Sequence, residues 1–140
     1  MTPVTLATRQ GWSVLADFED VYVRRPDGAC WHVGWMYGNP QGAIFTVDGD
    51  HVVVVGAGFL VADLARFGEP VRGAEEGMAA VHRLAGPEDC WIFEGVYEPG
   101  EEGVVRLVAD VEGEHAGVYE LRLPDLTLVP RLTRLSGSRA

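Results

Sequence analysis

Alternation of apolar and polar positions with a period of two dominates the chain, and it predicts strands from end to end. Segments 4–8 and 12–25 are rich in β-branched residues and divide into two or three strands, closed by the turn signal Pro26-Asp27-Gly28. In 30–37 the alternation puts Trp31, Val33, Trp35 and Tyr37 on one face. Turn residues at 38–42 and 48–50 then bracket further strands at 43–47 and 51–55. After a gap, strands are predicted at 90–97, 104–110, 117–123 and 126–132, and the small polar end 136–140 frays.

Only one stretch has helical periodicity. Met78, Val81, Leu84 and Ala85 recur at three- and four-residue spacing, with Glu75 and Glu76 in the first turn and Gly86-Pro87 after the last. A short helix is therefore expected at 75–85.

An internal match runs through the strands. Cys30-Trp31 superposes on Cys90-Trp91 and Tyr37 on Tyr97; one residue of slippage then places Phe59–Leu64 over Val118–Leu123. The match covers 28–71 and 88–130. Since 118–123 alternates cleanly, 59–64 is read as a strand too. The expected fold is a single domain, mainly β with one short helix, in which two similar antiparallel meanders form a pseudo-twofold sandwich or small barrel. Four-stranded meanders of this length also have the architecture of propeller blades.

Charge separates the two copies. The whole chain of 140 residues has 21 acids against 11 basic residues, all of them arginine, for a net charge of −10. Between 86 and 125 lie eleven acids, including Glu98, Glu101, Glu102, Glu112 and Glu114, against Arg106 and Arg122. Such a field opposes nucleic acid and anionic membrane surfaces and favours a basic protein partner. The absence of lysine excludes Schiff-base chemistry and the P-loop lysine. No basic leader and no apolar span is found, which points to a cytoplasmic protein with reduced thiols at Cys30 and Cys90.

Candidate chemistries fall short on spacing. Gly56-Ala57-Gly58 opens like a dinucleotide fingerprint, but Val61 stands at the third glycine and no βαβ unit follows. It is read as a β-turn or bulge. Cys30, His32 and Cys90 with His51 or His115 lack the close ligand pairs of a zinc cluster, so no metal or other cofactor is expected. Cys30 with His32 as base is a weak nucleophile pair, and Asp48 and Asp50 suit hairpin chemistry better than calcium. Asp17, Glu19 and Asp20 are read as a solvated strand face.

No residue is assigned a catalytic role. The expectation is a non-enzymatic binding protein, an acidic module that masks a basic protein surface in the manner of an inhibitor or immunity protein. Its contact candidates are Trp31, Trp35, Tyr37, Trp91, Tyr97, Glu98, Glu101, Glu102, Glu112 and Glu114. The alternatives are a small-molecule binder whose aromatic stripes line a pocket, and an enzyme of unrecognised type. Open meander edges also leave a homodimer available.

Overall fold

The computed structural model describes residues 3–36, 39–46, 49–64, 81–84, 92–101, 103–109, 116–123 and 127–133, with backbone only for 81–84 and 132–133. These residues form three four-stranded antiparallel sheets. The first comprises β1 (Val4–Arg9), β2 (Trp12–Asp17), β3 (Asp20–Arg24) and β4 (Cys30–Trp35) in sequence order. The second comprises β5 (Gly42–Phe45), β6 (His51–Gly56), β7 (Gly58–Asp63) and β8 (Val81–Leu84). The third comprises β9 (Phe93–Tyr97), β10 (Val104–Ala109), β11 (Gly117–Arg122) and β12 (Thr127–Thr133). Each sheet is an up-and-down antiparallel meander, its strands joined by short turns except between β7 and β8, which residues 64–80 separate in sequence. Gly56-Ala57-Gly58 is one such turn, with Gly56 opposite Gly58.

The mainly-β expectation holds, with three meanders in place of two. No sheet closes on itself among the described residues, so the layered arrangement applies and the small barrel does not. The expected helix at 75–85 is corrected at its end. Val81–Leu84 is a strand that pairs with β7, Phe59 opposite Leu84 and Ala62 opposite Val81. Pairing onto the otherwise open edge of β7 overrides a short helical pattern. Residues 75–80 and Ala85 lie outside the described residues, as does the tail at 136–140. The internal match straddles sheet boundaries: it sets β4, the last strand of the first meander, over β9, the first strand of the third. Tyr37, Cys90 and Trp91 fall outside the described residues.

Burial explains the order of layers. In β6 the residues Val52 to Val55 are all inaccessible, because alternate side chains enter two different cores. Val52 and Val54 join Val14, Val21, Val23, Trp31 and Phe45 between the first and second sheets. Val53 and Val55 join Phe59, Phe93, Leu107, Tyr119 and Leu121 between the second and third. A strand buried on both faces reads as a continuous apolar run, which is why 52–55 shows no alternation. Phe93 anchors the second core, 5.6 Å from Phe59 and 6.3 Å from Tyr119, both edge-to-face. Such ring pairs contribute about 0.5–1.5 kcal/mol each beyond their buried area.

The first strands bring the sheets closest together. β1 approaches β5, and β9 approaches β5 and β6. Arg9 Nη1 donates to the Thr46 carbonyl at 2.6 Å, tying the end of β1 to the end of β5. The sheets thus fan out from a shared line of first strands, the arrangement of neighbouring propeller blades.

Candidate functional site

Of the aromatic candidates, Trp31, Trp35 and Tyr97 are described, and these three do not share one pocket. Trp31 is buried in the first core, and the Arg25 guanidinium lies over its ring at 5.1 Å. Trp35 sits on the opposite face of the same strand. Between Val21 and Tyr22 the register of β3 with β4 shifts, so His32 faces Tyr22, Gly34 faces Val21 and Val33 is the extra residue. Val33 and Gly34 therefore both point inward, where a Cβ on Gly34 would come within 3.1 Å of Leu60 Cδ1. Trp35 is turned outward beside Asp20. The single aromatic face predicted from alternation is thus broken by a bulge, for which Gly34 within a strand pattern is the signal.

Of the remaining candidates, Tyr97 is exposed at the end of β9, Glu98 is half-buried and Glu101 lies exposed on the turn that follows. Tyr37, Trp91, Glu102, Glu112 and Glu114 lie outside the described residues.

Cys30 and His32 do share the outer face of the first sheet. His32 Nε2 is 2.9 Å from Asp20 Oδ1, and its ring is 5.1 Å from that of Tyr22. Desolvation pushes the Cys30 thiol up, only partly offset by Arg24. A raised thiol holds less of the nucleophilic thiolate. Burial likewise raises the Tyr22 phenol, with Asp20 and Asp17 adding to it. Among the described residues no three His, Cys, Asp or Glu side chains converge as a metal site would require.

The site that sequence reading missed is the hairpin tip between β2 and β3. Asp17 pairs with Asp20, leaving Phe18-Glu19 as a two-residue loop. Such a loop needs a left-handed residue, a role that Gln10-Gly11 fills for the β1–β2 hairpin with φ of 50° and 89°. At the second tip the left-handed residue is Phe18, with φ 54° and 79% of its surface exposed. The loop is fixed from behind, since the Met36 amide donates to the Glu19 carbonyl at 2.9 Å. A groove of about 250 Å³ opens beside it, lined by Val4, Leu6, Ala16, Asp17, Phe18, Asn39 and Pro40. Asp17 lines this groove, and Glu19 is exposed next to Phe18 on the same loop. The readable clue was a two-residue loop without glycine or asparagine.

The chain matches no protein-family model, no curated protein and no solved structure. Function therefore has to be argued from geometry.

Two further surfaces complete the picture. Where the three first strands converge, a shallow groove of about 480 Å³ is lined by Ala7, Thr8 and Arg9, by Ala43, Ile44 and Phe45, and by Val96, Tyr97 and Glu98. Glu98 Oε1 is buried there with no hydrogen-bond partner among the described residues. On the outer face of the third sheet, Glu120 is buried among Arg131 at 3.3 Å and Arg106 and Arg122 at 3.6 Å. Of the described acids of the third meander, Glu98 and Glu101 follow β9, while Glu94 and Glu120 share the outer face with Arg106, Arg122 and Arg131.

Proposed function

We propose that this protein is a non-enzymatic binding module of inhibitor or immunity type that docks on a basic protein surface through the Phe18 hairpin tip. The supporting observation is Phe18 itself, an almost fully exposed aromatic held in a left-handed turn. That conformation costs a bulky L-residue about 1–2 kcal/mol, and exposure of the ring returns no burial. A folded-state rationale is missing, whereas a contact rationale is direct. Aromatic anchors surrounded by a polar rim dominate protein interfaces, and carboxylates around one select a cationic partner. A groove that begins at the ring gives the partner's own apolar side chain a place to enter. The net charge of −10 adds long-range attraction for the same class of surface.

The test is capture from lysate of the native host with immobilised wild type and with Phe18→Asn. A basic protein retained by wild type and lost at least tenfold with Phe18→Asn supports the reading. Equal capture by both, or capture of acidic proteins alone, removes it.

A second reading, a small-ligand binder, is favoured by the partnerless Glu98 oxygen in the groove of the first strands. A buried carboxylate oxygen without a donor costs free energy until a donor arrives, which suits a ligand carrying an amine beside an apolar body. This groove is a different place from the core between the first two sheets, where Trp31 packs. A thermal-shift series of small aromatic amines, repeated on Glu98→Gln, separates this reading from the first.

A further inference from the structure

We infer that two copies of this chain associate head to tail, with the outer face of the third sheet in one copy stacked on the outer face of the first sheet in the other. Three features lead there. The first is the fan itself. The middle sheet is buried on both faces, whereas the outer faces of the first and third sheets belong to neither core cluster. Sheets that spread from a common line of first strands curve round an axis, so a second fan placed after the first turns back towards its start. The contact required is the one the fold already makes twice, sheet face on sheet face.

The second feature is charge. In a chain of net charge −10, the described residues on the outer face of the third sheet include Arg106, Arg122 and Arg131 around Glu120, with Glu94 exposed on β9 as a second carboxylate. Each guanidinium is about half exposed, and arginine outnumbers carboxylate by one among the described residues of that face. The outer face of the first sheet presents Asp17 and Asp20 beside Tyr22, His32 and Trp35, with Arg24 opposite Cys30 at its other end. Acid and aromatic rings opposite arginine and Tyr97 make a complementary pair, and planar guanidinium stacks well on aromatic faces.

The third feature is area. A four-stranded face is about 20 Å by 20 Å, so one contact removes roughly 800 Å² in total from water, below the range of stable interfaces. A closed pair contains two such contacts and reaches roughly 1,600 Å², inside that range. Closure therefore selects two copies over an open chain, as a heterologous contact permits when its rotation closes.

Sedimentation equilibrium of the full chain at low and high salt tests this directly. The expected result is twice the monomer mass at micromolar concentration in low salt, with dissociation promoted by added salt. Asp17→Arg/Asp20→Arg is expected to weaken association at least tenfold, and Arg106→Asp/Arg122→Asp to do the same. Mixing the two variants restores dimers, because one contact is then native and the other charge-swapped. Phe18→Asn, at the hairpin tip, leaves the mass unchanged. A monomer at about 100 µM in low salt overturns the inference, since standard-size interfaces are commonly tighter than that. So does a dimer indifferent to reversal of the first-sheet acids, which are half-exposed at the hairpin end of the sheet, even if the arginine variant fails to fold.

Discussion

Asp27 is the residue whose ordinary chemistry is altered most. Its carboxylate accepts from Arg25 Nε and Nη2, at 2.9 Å and 2.6 Å, and from the Ala29 amide at 3.0 Å. Led by the Arg25 hydrogen bonds, these lower its pKa from 3.8 to about 2. A depressed carboxylate stabilises the fold above its unfolded pKa and loses that contribution as pH falls through the folded value. Melting curves between pH 5 and pH 2 therefore should show wild type losing an advantage over Asp27→Asn, with the difference closing near pH 2. The turn is exposed, so the effect is small and shrinks in salt. Pro26-Asp27-Gly28 was legible as a turn from residue types alone. The electrostatic pairing with Arg25 was not, because it depends on the turn folding the side chains onto one another. Glu120 shows the same limit: its sequence neighbours do not reveal that strands β10 and β12 bring Arg106 and Arg131 to it. Glu120→Gln is expected to cost about 1–2 kcal/mol in chemical denaturation, the scale of a lost charge-assisted bond.

At the level of elements, strands were legible wherever one face is wet. Segment 104–109 alternates in the sequence and in burial for the same reason, whereas in 117–122 the alternation is interrupted by Glu120, buried among its arginines. The failures have separate causes. Val81–Leu84 is too short for its period to be decided, and its partner β7 is distant in sequence. The bulge in β4 reversed Trp35 because one inserted residue flips every side chain beyond it. The run Val52–Val55 marked a buried strand but not that it separates two cores. That separation predicts equal penalties on both faces of β6: Val52→Ala and Val53→Ala should each cost about 2–3 kcal/mol in denaturant unfolding. Val118→Ala, on the half-exposed outer face of β11, should cost less than about 1 kcal/mol. At the β6–β7 turn, a Cβ on Gly56 would meet Met36 Sδ at 2.9 Å and the Pro40 backbone at 3.3 Å. Gly56→Ala is therefore expected to destabilise by about 1–3 kcal/mol.

At the scale of the molecule, structure and contact surface are separated. The two cores hold the sheets, and no helix among the described residues is long and apolar enough to cross a membrane. Among the described residues, Arg106, Arg122 and Arg131 gather on one sheet face around Glu120, an arrangement that sequence counting reads only as a net charge. The candidate site was half-visible: Asp17, Glu19 and Asp20 stood out as a cluster, but Phe18 among them gave no sign of pointing into solvent. Its exposure follows from the register of β2 with β3, which only pairing fixes. If Phe18 is kept for contact at the expense of the fold, relieving its turn must strengthen the isolated protein. The deciding measurement is the thermal midpoint of Phe18→Asn against wild type, in the absence of any partner. Asparagine tolerates the left-handed region, so the midpoint should rise by roughly 2–4 °C, corresponding to about 0.5–1 kcal/mol. A fall of similar size would show that the ring supports the fold, and the contact reading of the hairpin tip would be contradicted.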